Sequence, residues 1–231
     1  MIETRRAHGV TYIKLDRPAR RNALTAEALQ ALREAIEGVS TPVAYLHGAG
    51  DAFCAGADFA AIAALETEED ASTFASLGQA VMDTIEQTDV IVVAGIDGPA
   101  RGGGVELALA ADVRVATEAA SFAETGVNVG LFGAWGGTIR LVEVIGLGHA
   151  LDLSLTGRTI SATEAKQIGL VSQLVEAPET VAIELTTKPA RSLRIIKQRL
   201  RDRGSYEAQL ISEQEAFTDL IEAGASLPSV D

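Results

Sequence analysis

The chain has 231 residues, of which 47% are hydrophobic, enough for one α/β domain with a full core rather than a disordered polypeptide. Its formal net charge of −13 argues against a nucleic-acid partner, because proteins that bind phosphate backbones usually carry a basic surface. The N-terminus lacks the apolar stretch of a signal peptide, and the longest apolar run, 90–96, is too short to cross a bilayer. We therefore expect a cytoplasmic protein with no membrane partner, and the single cysteine, Cys54, fits a reducing compartment.

Hydrophobic periodicity predicts alternating strands and helices along the whole chain. Threonine or serine side chains stand where helices are expected to begin, and glycine stands where they are expected to end. The predicted strands are 10–15, 43–46, 90–96, 113–116 and 170–175. The predicted helices are 25–39, 66–86, 103–111, 136–144, 161–169, 189–200 and 206–224. This order predicts an α/β fold.

Two stretches of small residues lie far apart in the sequence: Phe-Cys-Ala-Gly-Ala-Asp at 53–58 and Gly-Gly-Gly-Val-Glu at 102–106. Small side chains leave backbone N–H groups uncovered and tolerate close approach, so two such segments can together form an oxyanion hole. Glu106 follows within the same helical turn as a candidate acid or base. The glycines lack the lysine of a phosphate-binding loop and the spacing of a dinucleotide fold, which makes a nucleotide site a poor alternative.

With several further motifs in the same order, these stretches resemble the crotonase family, the enoyl-CoA hydratase/isomerase superfamily. The matching segments are 15–18, 21–24, 53–58, 98–108, 111–116, 136–141, 155–158 and 165–171. The resemblance implies a spiral of strand-strand-helix repeats over residues 1–188 and a C-terminal helical region, 189–231, that serves oligomerisation. It also implies a homotrimer or a dimer of trimers, an acyl-CoA thioester as substrate, and no cofactor, since coenzyme A is part of the substrate.

The resemblance assigns roles to particular residues. The N–H groups of Ala57 and Gly103 match the oxyanion-hole positions, and Glu106 matches the first of the two glutamates that enoyl-CoA hydratases use to hold and deliver water. Lys197 matches a basic residue near the CoA phosphates, although a lysine on a helix surface is the plain alternative. The positions expected to bind substrate are Ala23, Leu24, Ala55, Asp58, Phe59, Gly102, Gly126, Trp135 and Lys197.

The sequence departs from the pattern at Gly126, where the second glutamate would stand. A missing acid or base typically costs a factor of about 10² to 10⁴ in rate. Glu124, two residues earlier, would face the same side of an extended segment and is one candidate replacement. A bound bicarbonate, as in naphthoate synthases of the superfamily, is a second explanation, but those enzymes lack the glutamate matching Glu106. The third explanation is that Glu106 works alone.

Three functions remain open at this point. Hydration of an enoyl-CoA is the preferred prediction, double-bond isomerisation is the enzymatic alternative, and an acyl-CoA-binding protein without turnover is the third. Arg101, usually apolar in the family, is either a ligand for a carboxylated acyl group or a CoA phosphate, or a surface cation. Trp135 and Phe132 either line the acyl pocket or belong to the core. The three histidines lack ligand spacing, so we expect no metal.

Overall fold

The computed structural model describes residues 1–224, which form two sheets with helices packed around them. Within these residues the strands are β1 (Ile2–Ala7), β2 (Val10–Leu15), β3 (Val43–Gly48), β4 (Ile91–Ile96), β5 (Pro99–Arg101), β6 (Val113–Ala116), β7 (Ser121–Ala123), β8 (Ile160–Ser161) and β9 (Gln173–Leu174). The helices are α1 (Ala26–Glu37), α2 (Phe59–Ala63), α3 (Glu68–Gln87), α4 (Gly103–Ala110), α5 (Gly137–Thr156), α6 (Ala162–Gln167), α7 (Glu179–Leu185), α8 (Ala190–Arg201) and α9 (Tyr206–Glu222). The predicted α/β class is confirmed.

The main sheet has the strand order β1-β2-β3-β4-β6-β9, and the smaller sheet has the order β5-β7-β8. β1 pairs antiparallel with β2, while every other pair in the main sheet is parallel. Parallel neighbours need crossover connections, and here α1, α3 and α4 supply them. The carboxyl ends of β3 and β4 therefore lie side by side, and the two glycine-containing loops leave from that edge.

Both faces of the main sheet are covered, because successive side chains of a strand point to opposite sides. Val92, Ala94 and Ile96 face the larger core beneath α1 and α3. Val93 faces a second core together with Tyr45 on β3, and α7 closes that side with the buried Ala182. This double burial accounts for the near-continuous apolar sequence of β4.

The predicted helix starts at 25 and 66 agree with the structure to within two residues. The hydroxyl of Thr25 accepts a hydrogen bond from the backbone N–H of Ala28, and Thr67 and Asp70 form a complete capping box at the start of α3. At α6 the box is half formed: Ser161 accepts from the N–H of Glu164, but the carboxylate of Glu164 pairs with Arg158 instead.

The sequence prediction missed β1, α2, α7 and the smaller sheet, and it placed a strand over 170–175 where only Gln173–Leu174 pairs. These elements are two to seven residues long, and such short segments carry little periodicity. β1 is exposed over residues 3–6 and its sequence is polar there, because it is an edge strand paired with β2 alone.

The C-terminal helices differ in how they attach to the rest of the chain. α8 is anchored to the core by buried ion pairs, whereas α9 contains no buried residue. The predicted division between 1–188 and 189–231 falls in the short connection from α7 to α8 and stays a prediction. Residues 225–231 of that region lie outside the described part of the chain.

Candidate active site

The two glycine-containing loops are joined by backbone hydrogen bonds. The N–H of Cys54 donates to the carbonyl of Pro99 over 3.3 Å, and the N–H of Arg101 donates to the carbonyl of Cys54 over 3.0 Å. At Gly56, which has φ +84°, a Cβ would lie 2.8 Å from the amide nitrogen of Gly103. Only glycine permits that approach, so the segments separated by about fifty residues in sequence meet here as predicted.

The backbone N–H groups of Ala57 and Gly103 have no acceptor among residues 1–224. The neighbours of Ala57 are bonded, since Leu24 donates to the carbonyl of Gly56 and Asp58 donates to the carbonyl of Leu24, but the N–H of Ala57 is not. Gly103 is the first residue of α4, where an amide has no intrahelical acceptor and the helix dipole is positive. Two unused donors therefore border one space.

That space is a cavity of about 240 Å³. The predicted residues Ala55, Ala57, Phe59, Gly102, Gly103, Glu106, Glu124, Gly126 and Trp135 all line it. Its remaining walls are Ile62, Leu65, Ala71, Phe74, Ala75, Thr125, Val129, Leu131, Phe132, Gly133 and Ala134. The cavity thus combines uncovered amides and two carboxyl groups with a largely apolar wall, as expected of a small-molecule site.

Glu106 is buried, and its carboxylate is held by the segment 135–137 that leads into α5. Its Oε1 accepts hydrogen bonds from the backbone N–H groups of Trp135 at 2.8 Å and Gly137 at 2.7 Å. Arg140 holds this turn by donating to the carbonyl of Trp135. Burial raises the pKa of Glu106, while the two N–H groups and Arg140 act in the opposite direction by stabilising the carboxylate.

Glycine is required around this carboxylate. A Cβ at Gly137 would lie 2.7 Å from Oε1 of Glu106, and one at Gly133 would lie 2.9 Å from its Cδ. Gly133 and Gly137 therefore leave the space that the Glu106 carboxylate occupies.

Glu124 lies in the same cavity but has a different environment. It is 7% exposed, and its Oε1 is buried with no hydrogen-bond partner among the described residues. Burial, and next the charge of Glu106, raise the pKa of Glu124 well above its usual 4.5. The predicted extended segment ends at Ala123, because a 3₁₀ turn begins at Thr125, yet the carboxyl group reaches the cavity from the turn's N-terminal position.

Gly126 has no room for the side chain that the family carries there. A Cβ at this position would lie 2.9 Å from the carbonyl oxygen of Leu131 and 3.1 Å from the Cα of Phe132. The turn at 125–129 and the irregular segment 131–133 are thus packed against each other. A glutamate at 126 would require this loop to move.

Trp135 is both a core residue and a cavity wall, so the two alternatives raised by the sequence are not exclusive. Its indole is 3% exposed and lies against Gly78 on α3 and Gly103 on α4. Phe74 packs beside it, with ring centroids 5.8 Å apart. Phe132, in contrast, is 72% exposed at the rim.

Four of the expected substrate-binding residues do not line this cavity, namely Ala23, Leu24, Asp58 and Lys197. The side chain of Leu24 is buried in the main core, and its backbone N–H and carbonyl are both bonded to the 56–58 segment. Asp58 caps α2 through the N–H of Ala60 and pairs with Arg17, which also donates to the carbonyl of Ala23. These residues hold the loop in place, and direct contact of Ala23, Leu24 or Asp58 with CoA stays a prediction.

The expected contact between Lys197 and the CoA phosphates is wrong. Its ammonium group is buried under α8, where it pairs with Asp112 at 2.9 Å and donates to the carbonyls of Ile85 and Val90. The apolar stem and a carboxylate partner together allow a lysine to be buried. Lys197 therefore anchors α8 to the core.

Arg101 contacts the neighbouring strand of the smaller sheet, and its contact with an acyl carboxylate or a CoA phosphate stays a prediction. Its guanidinium donates to the carbonyls of Ala100 and Ser121 and to the hydroxyl of Ser121, and it does not line the cavity that holds Glu106. Burial lowers the pKa of Arg101, with a further contribution from the nearby Arg21. Arg101 joins β5 to β7 through these contacts.

Sequence reasoning missed the wall supplied by α2 and α3. Ile62 and Leu65 lie before the predicted helix, where no element was expected, and the helical apolar pattern around Phe74 does not separate a core face from a cavity face. Gly78 carried a usable signal, because glycine inside a helix is unfavourable unless another group must approach closely. That group is the indole of Trp135.

Within residues 1–224, no cluster of three or more His, Cys, Asp and Glu side chains is arranged to hold a metal ion. The same residues include no helix long and apolar enough to span a bilayer.

The fold matches solved structures over almost its full length. A crystal structure of an enoyl-CoA hydratase from Bacillus anthracis superimposes with a TM-score of 0.88 at 36% identity, covering 96% of this chain and 91% of that one. A crystal structure of an enoyl-CoA hydratase from Thermoplasma volcanium gives a TM-score of 0.91 at 28% identity and covers 96% and 93% of the two chains. The fold class is therefore that of the crotonase superfamily, as the sequence predicted.

Sequence comparison makes the assignment more specific. The family model for enoyl-CoA hydratase/isomerase matches residues 5–223. The chain is 38% identical over 184 residues to a crotonyl-CoA hydratase of Syntrophomonas wolfei, covering 78% of this chain and 70% of that protein. It is 32% identical over 222 residues to a short-chain-enoyl-CoA hydratase of Clostridium acetobutylicum, covering 90% and 84%. The chain belongs to the enoyl-CoA hydratase/isomerase family and is an acyl-CoA-transforming enzyme.

Proposed function

We propose that the enzyme hydrates a 2-enoyl-CoA thioester at the cavity lined by Ala57, Gly103, Glu106 and Glu124. The observation that carries this proposal is the presence of two carboxyl groups in one cavity, beside two backbone amides with no partner among residues 1–224. Addition of water across a double bond needs one group to take a proton and another to give one. An isomerase that moves a single proton needs only one such group.

The amides of Ala57 and Gly103 would bind the thioester oxygen. Attack of water at the β-carbon moves negative charge onto that oxygen, and two fixed N–H donors, of which Gly103 lies at the N-terminus of α4, stabilise it. Loss of one such donor costs about 3 to 4 kcal/mol in comparable sites, so the amides supply a large part of the catalysis.

The environments of the two carboxyl groups assign their roles. Glu106 accepts two N–H hydrogen bonds, which favour its ionised form, and we infer that it takes a proton from water. Glu124 lacks a partner for Oε1 and faces the charge of Glu106, so it is the group that holds a proton and gives it to the α-carbon. The hydroxyl of water bonds to the β-carbon, and the proton left on Glu106 returns to Glu124 through solvent. No cofactor is needed for this chemistry.

The experiment that tests the proposal follows purified protein with crotonyl-CoA and separately with a 3-enoyl-CoA. We expect the enoyl absorbance of crotonyl-CoA to decrease as 3-hydroxyacyl-CoA forms, with much slower conversion of the 3-enoyl substrate to the 2-enoyl product. Faster isomerisation than hydration would favour the alternative function. Binding of both thioesters without turnover would contradict the proposal.

We propose that the protein assembles as a homotrimer, or a dimer of trimers, through the outer faces of α5 and α9. α9 has an apolar face that is exposed in the single chain. Tyr206, Leu210, Phe217 and Ile221 share this face. α5 also exposes Ile139, Leu147, Leu151 and Leu155, and exposed apolar residues grouped on a helix are typical of an interaction surface. This face of α9 is not packed against its own subunit, since α9 contains no buried residue. The cytoplasmic location also stays a prediction.

Replacing Phe217 by glutamate is expected to shift the assembly to monomer, because a charge would be buried in an apolar interface. Light scattering coupled to size exclusion measures the mass directly. Ala208→Glu is the matched control, since it adds the same charge on the opposite, exposed face of α9 and leaves the assembly intact. A wild-type protein that is already monomeric at micromolar concentration contradicts the assembly proposal.

A further inference from the structure

The acyl part of the cavity is bounded by side chains of one chemical kind. From α2, α3 and the connection between them come Ile62, Leu65, Phe74 and Ala75, and Trp135 packs beside Phe74. Among the described residues, the charged side chains that line the cavity are Glu106 and Glu124. No lysine or arginine of residues 1–224 lines it, and Arg101 is turned into contacts with Ser121. An acyl group that ends in a carboxylate would meet two acidic groups and no cation here.

The indole of Trp135 fills the space between α3 and the N-terminus of α4. The five-membered ring faces Gly78, where a Cβ would collide with it, and the six-membered ring faces Gly103, where a Cβ would collide as well. Trp135 is thus held on two sides by helix backbone. The space it occupies adjoins the cavity, because Trp135 and Gly103 both line that cavity.

The dimensions agree with a short chamber. The cavity volume is about 240 Å³, below the range of about 300 to 1,000 Å³ usual for sites that take drug-sized ligands, and the thioester itself must occupy part of it. Gly78 makes this possible, since any larger residue at that point of α3 would displace the indole.

We propose that Trp135, seated against Gly78 and Gly103, closes the acyl chamber and restricts the enzyme to short, uncharged 2-enoyl groups. The inference rests on the proposed function, because it takes the cavity to be the acyl site. Trp135 acts as a specificity-determining residue through its volume, while its backbone N–H separately holds Glu106.

The experiment compares kcat/KM for octenoyl-CoA with kcat/KM for crotonyl-CoA in the wild type and in Trp135→Ala. Burial of one additional methylene group is worth about fourfold, so accommodating two or more should raise the octenoyl-to-crotonyl ratio about tenfold or more. Trp135→Phe should give a smaller rise, and it keeps the test available if the alanine variant does not fold. A general loss of activity caused by movement of Glu106 affects both substrates equally and therefore cancels in the ratio.

A second variant separates volume from any other property of the indole. Trp135→Ala combined with Gly78→Leu refills the vacated space from the α3 side, and we expect the ratio to return toward the wild-type value. If Trp135→Ala and Trp135→Phe both hydrate crotonyl-CoA and both keep the wild-type octenoyl-to-crotonyl ratio, the role of Trp135 is overturned.

The charge part of the inference is tested on the wild type with 2-pentenoyl-CoA and glutaconyl-CoA, which match in chain length and differ in a terminal carboxylate. We expect pentenoyl-CoA to be favoured by about 100-fold or more, and equal rates overturn this part. If the wild type hydrates nothing, the proposed function fails separately. In that case, calorimetry can compare the binding of butyryl-CoA and octanoyl-CoA to the wild type and to Trp135→Phe. A preference for butyryl-CoA that is weaker in the variant supports the inference. The same preference in both proteins overturns it.

Discussion

Replacing Glu106 by glutamine is expected to lower kcat for crotonyl-CoA hydration by about 10² to 10⁴, with a much smaller change in KM. The amide oxygen of glutamine can still accept the N–H groups of Trp135 and Gly137, so the turn should keep its shape. What the amide cannot do is take a proton from water. Steady-state loss of enoyl absorbance measures the effect.

Glu69→Gln provides the matched control for this variant. It removes the same charge from an exposed position in the first turn of α3, away from the cavity, and should leave kcat unchanged. A Glu106→Gln protein that retains kcat within about threefold of wild type, while folded, would show that Glu106 is not the base.

Glu124→Gln is expected to reduce hydration by a similar factor and, at the same time, to stabilise the protein at neutral and alkaline pH. Burial and the charge of Glu106 raise the pKa of Glu124 in the folded state, so the folded protein binds this proton more tightly than the unfolded chain. Stability contributed by the protonated group is therefore lost as pH rises from about 4.5 through the raised pKa. Each unit of difference in pKa is worth about 1.4 kcal/mol once pH exceeds both values.

Glutamine does not titrate, and Oε1 of Glu124 has no protein partner to lose among the described residues. The difference in melting temperature, variant minus wild type, should thus grow between pH 5 and pH 8. Thermal unfolding at several pH values measures it, with Glu69→Gln expected to show no such trend. A variant less stable than wild type at pH 8 would mean that Glu124 is a stabilising group.

The pH–rate profile follows from the same two groups. Wild-type kcat/KM should fall at low pH as Glu106 gains a proton and fall at high pH as Glu124 loses one. In Glu124→Gln, the alkaline decrease should disappear while the acid decrease remains. The two carboxyl groups interact, so the wild-type curve reports apparent values for the pair.

The residues that the sequence identified best are those whose roles depend on backbone rather than on a side chain's surroundings. Ala57 and Gly103 were recognisable because small residues in two fixed motifs expose amides, and Gly56 permits the approach at positive φ. Glu106 was predictable for a related reason. It lies in the first turn of α4, three residues after Gly103, so the local helix geometry places it beside the exposed amide.

Side chains that act at a distance from their own motif were harder to predict. Lys197 has the same identity whether it binds a phosphate or Asp112, and only the packing of α8 on the core distinguishes the two. Glu124 reached the cavity although the extended segment that motivated its choice ends one residue earlier. Arg101 was placed by Ser121, twenty residues away in sequence.

The sequence by itself determined the family, the α/β class and the two glycine-containing loops, because these depend on local residue type and on order along the chain. Only the tertiary structure decided that a second carboxyl group occupies the cavity, that Trp135 lines it while packed against Gly78 and Gly103, and that α9 leaves its apolar face exposed. Each of those facts is a contact, or the lack of one, between segments remote in sequence. Such contacts depend on how helices and loops pack, and no residue pattern within a single segment contains that information.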